Sequence, residues 1–400
     1  MKKLLSLLLA AVILLSVGMT EGFCATADDS ADTGALSNYL LGYMSWGVKH
    51  MGLDVLQEKL ENSGKPLPEV RVAVIDSGLN TENRYLKGRY VDGWNFINNT
   101  SDYNDDQYHG TMVSGIIADG TSSNVKILPI KVNDKNGRGT MNNVAKGIDY
   151  AIEHGADVIN LSLSAEDPNH SVTVLDEAIG AAVDRGIVVV VAAGNQSGDA
   201  GDHYPANKNN VLTITSVDKD NVIGENANTG ACVDFALPGV KIFAPYKSGI
   251  MSAFVDTGTS LAAPHAAAAA ALLKSWDKRV DQEAVYEILR EYAVDLGESG
   301  FDTTYGWGMI DLSRFDINAA YVPPTKPYRL GDTDGNGSIE SVDTAYLLRA
   351  VSQIETPFTE QELFRGDVDD NGALEPIDAT MIQYYLAYRE VPYPIGEITG

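Results

Sequence analysis

Apolar residues along this chain follow two alternating periods. Val70–Ile75, Val125–Val132, Val158–Leu163 and Ile187–Ala193 are near-continuous apolar runs rich in β-branched residues. Runs of that kind belong to strands buried on both faces. Between them the period lengthens. Val144, Ile148 and Ile152 recur four apart and the pattern stops at Gly155, while Leu175–Ala182 reads as a helix that stops near Gly186. Strand and helix alternate in this way from Val70 to Leu312, which predicts an α/β fold with a doubly wound, mostly parallel sheet. A helix-like stretch from Trp46 to Leu60 precedes it. One predicted helix is apolar on every side: Ala266–Ala271, continued by Leu272 and Leu273. It follows Gly258-Thr259-Ser260-Leu261-Ala262-Ala263-Pro264-His265. Pro264 predicts the first helical turn, where a missing N–H costs nothing. Ser260 then lies where unpaired N–H groups favour negative charge. It reads either as a helix cap or as a nucleophile whose reaction develops an oxyanion at that helix start.

The ends of the chain have a different texture. Lys2 and Lys3 precede the apolar run Leu4–Val17, and Ala25-Thr26-Ala27 offers a small-residue cleavage site. Residues 1–27 are therefore expected to be a signal peptide. The apolar run falls short of the roughly 20 residues that span a bilayer, so no membrane insertion is expected. Phe23 before Cys24 argues against lipid attachment, and soluble export is the reading. Removal of the leader takes Cys24 and leaves Cys232 without an internal disulfide partner. Residues 28–44 form a short segment of mixed polarity. Pro323-Pro324-Thr325-Lys326-Pro327 marks a semi-rigid linker over 321–328, bounding a main domain at 45–320. The formal net charge of −26 argues against nucleic acid and anionic membrane as partners.

Three further segments have chemical character. Val74-Ile75-Asp76-Ser77-Gly78 puts a carboxylate at the end of a buried strand. His109-Gly110-Thr111 puts an imidazole at a helix start, and Ala193-Gly194-Asn195 puts an amide after another buried strand. Ligand sites in open α/β sheets gather at the carboxyl ends of strands. Taken singly, each residue reads as a turn former, a cap or a structural histidine. Together, Asp76-Ser77-Gly78, His109-Gly110-Thr111 and Gly258-Thr259-Ser260-x-Ala262-x-Pro264 resemble the three signature blocks of the subtilisin-like serine proteases, in the family's order of Asp, His and Ser. The likeness covers residues 45–320 and includes Tyr305-Gly306-Trp307-Gly308. It implies a serine endopeptidase acting on protein or peptide substrates: Ser260 as nucleophile, His109 as general base, Asp76 as its orienting carboxylate, and Asn195 with the Ser260 N–H as oxyanion donors.

The same resemblance implies substrate contacts at Gly139, Ser162, Leu163, Ser164, Ala193 and Gly194, with Arg138-Gly139-Thr140 as a strand that pairs with the peptide. The sequence departs from the family in places. Ser164 stands where glycine is usual, Met112 where a histidine is common, and Leu261 where methionine usually follows the nucleophile. Residues 28–44 leave no room for the long pro-domain of many members, so folding without one is the expectation.

Beyond the linker lies a repeat. Asp332, Asp334, Asn336, Ser338 and Asp343 occupy positions 1, 3, 5, 7 and 12 of a loop with Gly337 at position 6. Asp367, Asp369, Asn371, Ala373 and Asp378 repeat it around Gly372. That spacing is EF-hand logic: hard oxygens, including the position 7 carbonyl, converge on Ca²⁺. Residues 329–395 carry 13 acidic and 4 basic side chains, so an ion is expected to couple to folding. The tandem resembles a dockerin module, a small all-α domain with two EF-hand-like loops. It implies two calcium ions and a cohesin domain on a scaffold protein as partner, as in cellulosomes. The competing expectations are a silent binding protein on the protease fold, and a free protease whose repeat only adds stability.

Overall fold

Seven parallel strands make the central sheet of the computed structural model. The structure describes residues 45–166, 173–246 and 253–321, and from the C-terminal region residues 328–329, 331, 333, 344, 347–348, 368, 375–386 and 398–399. In chain order the strands are β1 (Val70–Asp76), β2 (Trp94–Asn95), β3 (Val125–Lys131), β4 (Val158–Leu161), β5 (Ala165–Glu166), β6 (Val188–Ala192), β7 (His203–Tyr204), β8 (Leu212–Val217) and β9 (Phe235–Pro238). The sheet runs β2-β3-β1-β4-β6-β8-β9, while β5 and β7 form a separate antiparallel pair. β1 has β3 on one side and β4 on the other, so the winding reverses there. The crevice at such a reversal is where open α/β sheets hold ligands. Asp76 is the last residue of β1.

The helices are α1 (Trp46–His50), α2 (Leu53–Glu61), α3 (His109–Asp119), α4 (Met141–Glu153), α5 (Thr173–Asp184), α6 (Thr259–Trp276) and α7 (Gln282–Glu291). The two-residue period of β1 divides its side chains between two cores. Val72 and Val74 join Val113, Ala262 and Ala266 in one layer. Ala73 and Ile75 join Val144, Ile148, Ile179 and Val189 in the other. The helices carrying His109 and Ser260 thus share one face of the sheet, and α4 and α5 cover the other. α6 lies at the centre of its layer, against β1, β4, β6, β8, β9, α2 and α3. Ala266 through Ala271 are all fully buried. A helix enclosed on every side is apolar all round, and alanine lets its neighbours approach closely.

Several expected boundaries move. The stretch from Trp46 to Leu60 is two helices, broken at Gly52 with φ +62°, where a Cβ would also lie 2.5 Å from Ser313 N. β4 ends at Leu161, so residues 162–164 lie in the loop beyond it. Pro264 is not in the first turn; α6 begins at Thr259 and continues through the proline. A hairpin of β10 (Ile242–Pro245) and β11 (Ala253–Asp256) leads into α6. β12 (Ala293–Val294) and β13 (Met309–Ile310) close this region.

In the C-terminal region, β14 (Tyr328–Arg329) pairs antiparallel with β15 (Ile398–Thr399), joining the two ends of the repeat-bearing segment. Tyr328 pairs with Thr399, so the bridge sits at the margins of the module expected at 329–395. Helix α8 (Pro376–Leu386) follows the second loop. Residues 1–44, the linker residues 322–327, and the proposed ligands Asp332, Asp334, Asn336, Ser338, Asp343, Asp367, Asp369, Asn371 and Ala373 lie outside the described residues. Among the described residues no helix is long and apolar enough to cross a membrane.

Candidate active site

Asp76 is buried at the carboxyl edge of the sheet, with 1% of its surface exposed. His109 Nδ1 lies 2.9 Å from both of its carboxylate oxygens. A carboxylate can only accept, so Nδ1 carries the proton and Nε2 keeps its lone pair. Oδ1 of Asp76 also accepts from Ser77 N at 2.7 Å, which fixes the carboxylate. The His109 side chain is 23% exposed. Burial opposes its positive charge. The Asp76 charge and hydrogen bond, with Asp105 and Asp256 beyond, outweigh that and raise the imidazole above its usual 6.5.

The start of α3 is held by side chains. An α-helix leaves its first N–H groups without partners. Here His109 N donates to Gln107 Oε1 at 3.0 Å, Gly110 N to Ser77 Oγ at 2.9 Å, and Thr111 N to Asp105 Oδ2 at 2.9 Å. Asp105 is 2% exposed and also accepts from Tyr108 N and Thr111 Oγ1. Gly110 permits the close approach, since a Cβ there would lie 2.3 Å from Gly78 O and 3.2 Å from Asp76 Cβ. The Asp76 and His109 segments are therefore two halves of one packed joint.

The start of α6 is organised differently. Thr259 N donates to Asn195 Oδ1 at 2.9 Å, and Thr259 Oγ1 accepts from Gly194 N at 3.1 Å. With its oxygen engaged, the Asn195 amide presents Nδ2 as a donor. Ser260 is the second helical residue, and helix geometry gives the first N–H groups no intrahelical acceptor. A Cβ built on Gly258 would lie 3.3 Å from Ser260 Oγ and 3.5 Å from Asn195 Nδ2, so hydroxyl and amide border one small space. Pro264 has no N–H for the carbonyl four residues earlier, which belongs to Ser260. Ser162 Oγ supplies the missing donor at 2.8 Å, and Asn160 Nδ2 donates to Ser162 Oγ at 2.9 Å. The Ser162 side chain thus holds the Ser260 backbone.

The other expected contact residues are placed less uniformly. Ala193 is fully buried, and Gly194 has φ +101° beside Asn228, whose Nδ2 donates to Ala193 O. Leu163 and Ser164 are half-buried after β4. Gly139 lies in a loop. Residues 138–140 form no strand; they follow a turn in which Asp134 N donates to Arg138 O, and Thr140 caps α4 by accepting from Asn143 N. Met112 and Leu261 pack together in a small core with Ile116, Ile242 and Ala244.

Asp105, Gln107 and Lys131 were not singled out from the sequence. Lys131 is a buried strand lysine whose Nζ reaches Ser77 O and Asp106 Oδ1. The available signal was Asp105-Asp106-Gln107 just ahead of His109, since such side chains bond to backbone a few residues on. In the C-terminal region Asp378 is fully buried, and its two oxygens accept from Val368 N and Glu375 N at 2.9 and 2.8 Å. The remaining loop donors are oxygens, the ligand type Ca²⁺ prefers, and the buried Asp378 carboxylate fits the last position of such a loop. Among the described residues no three His, Cys, Asp or Glu side chains converge as a metal site.

A buried carboxylate on a histidine and a serine at a helix start thus belong to segments packed on one face of an α/β sheet. The chain belongs to the subtilase family, which matches residues 68–308. Residues 330–387 match the type I dockerin domain, a calcium-binding domain type. The chain is 31% identical over 305 residues to the minor extracellular protease Epr of Bacillus subtilis, covering 74% of this chain and 46% of that protein's length. It is 34% identical to subtilisin DY of Bacillus licheniformis, over 64% of this chain and 93% of the relative. Among solved structures, a lanthipeptide protease superposes with TM-score 0.60 at 27% identity, covering 70% of this chain and 96% of that one. A cold-adapted subtilisin-like serine proteinase gives TM-score 0.55 at 29% identity, over 61% of this chain and 89% of that one.

Proposed function

We propose that this protein is a secreted serine endopeptidase held on a cohesin-bearing scaffold by its dockerin. The Asp76–His109 contact carries the reading. A histidine whose Nδ1 is held by a buried carboxylate offers Nε2 as a base, as the hydroxyl of Ser260 requires. In the proposed reaction His109 takes the Ser260 proton as Oγ attacks the peptide carbonyl, then returns it to the leaving amine. The Ser260 N–H and Asn195 Nδ2 donate to the oxyanion, where the α6 N-terminus also favours negative charge. Ser162 supports this by holding the Ser260 carbonyl. Backbone around Ser162, Leu163, Ser164, Ala193 and Gly194 is the proposed lining for the substrate, with Gly139 across the cleft. In the dockerin, two calcium ions would be held by Asp332, Asp334, Asn336, Ser338 and Asp343, and by Asp367, Asp369, Asn371, Ala373 and Asp378. Bound calcium would neutralise the converging carboxylates and so order the loops.

Incubation of the folded protein with a fluorophosphonate probe tests the catalytic part. The expected adduct maps to Ser260 and is lost in Ser260→Ala and sharply slowed in His109→Ala. A folded protein that takes no label would overturn the reading in favour of a silent binding protein. Capture by immobilised cohesins in calcium, and release by chelator, tests the tether. A module that only stabilised the protease would capture none.

A further inference from the structure

On the face of the sheet opposite α3 and α6, a cavity of about 380 Å³ opens between β2 and α4, lined by Trp94, Phe96, Lys146, Asp149, Tyr150 and Glu153. Its aromatic part is built rather than incidental. The Trp94 and Tyr150 rings are 27° from parallel with centroids 6.4 Å apart, and Phe96 stands edge-on to Tyr150 at 82°. His154 stacks on Tyr150 at 3.6 Å, its Nδ1 donating to the Tyr150 carbonyl at 2.8 Å, which steadies the ring. Phe96 and Tyr150 rest on the core, so the platform is anchored.

The rim is acidic and electrostatically frustrated. Asp149 and Glu153 are four apart on α4 and share one face, where like charges repel. Burial first, then Glu153, pushes the Asp149 carboxyl up. Burial, Asp92 and Glu153 push the Tyr150 phenol up. Among the described residues, none of Asp92, Asp149 and Glu153 makes an ion pair, and Lys146 is the one cation lining the cavity. The free protein therefore holds aromatic faces beside two carboxylates and one lysine, a rim that is net negative.

We propose that this pocket is an exosite for the arginine side chain of a basic peptide segment, stacked on Trp94 and Tyr150 and paired with Asp149 and Glu153. A planar guanidinium stacks on aromatic rings and donates in pairs to carboxylates, which suits it better than an ammonium. A neutral sugar could stack on the same rings but would leave the Asp149–Glu153 repulsion in place. The exosite would hold part of a basic protein partner away from the cleft, and the proposal does not depend on the chain's catalytic activity.

Calorimetric titration of full-length Ser260→Ala protein at low salt, with acetyl-Arg-Gly-amide, tests this. The expected result is saturable one-to-one binding, weakened roughly tenfold or more by Asp149→Asn with Glu153→Gln, and similarly when citrulline replaces arginine in the probe. Asp149 and Glu153 are exposed, so their amide variants should fold, and an unchanged far-UV spectrum checks this. Trp94→Phe keeps an aromatic face and should bind better than Trp94→Ala. Equal binding of the citrulline probe, no effect of the double variant, or no saturable binding would each overturn the proposal. Tighter binding of cellotriose than of the arginine probe would also overturn it and make the platform a sugar site.

Discussion

Asn195 is proposed to serve twice with one amide. Its oxygen accepts from Thr259 N at 2.9 Å, which leaves its nitrogen as the donor proposed for the oxyanion. Asn195→Ala is expected to lower kcat by about 10²–10³ with little change in KM, the size of effect known for such a donor in subtilisin. Steady-state kinetics on a chromogenic peptide would check it, and a matched rise in KM would argue for ground-state binding instead. His109 supplies the second expectation. Only the neutral imidazole can act as base, and burial, overcome by Asp76, Asp105 and Asp256, leaves its pKa above 6.5. The acid limb of kcat/KM should therefore lie above pH 6.5, and Asp256→Asn should move it downward. A limb unmoved by that variant would remove Asp256 from the field at His109. At this scale the chemical candidates were legible because Asp76, His109, Asn195 and Ser260 sit in short motifs. Asp105 was not, because an aspartate that caps a helix from outside looks like any loop aspartate until the helix start is known.

The elements owe their placement to donors and acceptors as much as to apolar pattern. α3 starts where Gln107, Ser77 and Asp105 meet three orphan N–H groups, whereas at the start of α6 Asn195 meets the Thr259 N–H. Pro264 lies inside α6 rather than in its first turn, because another donor serves the carbonyl it abandons. Ser162, remote in sequence, is that donor. One turn beyond Ser260, His265 is fully buried, with Nδ1 donating to Leu261 O at 2.9 Å. Burial lowers its pKa to about 4. Its unfolded form takes a proton near pH 6.5 while the folded form resists, so its contribution is present above pH 6.5 and lost as pH falls toward 4. The loss is of the order of 3 kcal/mol from this residue. His265→Gln should flatten the fall of melting temperature between those pH values. An equally steep fall in the variant would place the titrating group elsewhere.

For the whole molecule, the division into a sheet-based domain and an acidic repeat could be read from composition and spacing. Calcium is expected to act mainly on the repeat. Asp343→Asn with Asp378→Asn should cut calcium uptake by the full chain by two ions and abolish cohesin capture, while Ser260 labelling continues at the wild-type rate. Calorimetric stoichiometry and labelling on one preparation would check both, and loss of labelling would mean that the repeat supports the catalytic domain directly. The tail ends were not legible. Tyr328 pairs with Thr399 through backbone hydrogen bonds, which side-chain pattern does not encode.

The amino-acid sequence alone determined the alternation of strand and helix, the leader-like start, the two oxygen-rich loops and the list of chemical candidates. These depend on periodicity and local motif, which are properties of neighbours along the chain. Tertiary structure decided which donors stay open and which are consumed. It set Ser162 beneath Ser260 and Trp94 beside Tyr150, pairs separated by many residues and joined by the winding of the sheet, and it turned the loop before His109 so that Asp105 met the start of α3. Hydrogen-bond satisfaction is a property of three-dimensional neighbours, so the partners of the Gly258-Thr259-Ser260 segment, Asn195 for Thr259 N and Ser162 for the Ser260 carbonyl, were decided only when α6 packed against the sheet.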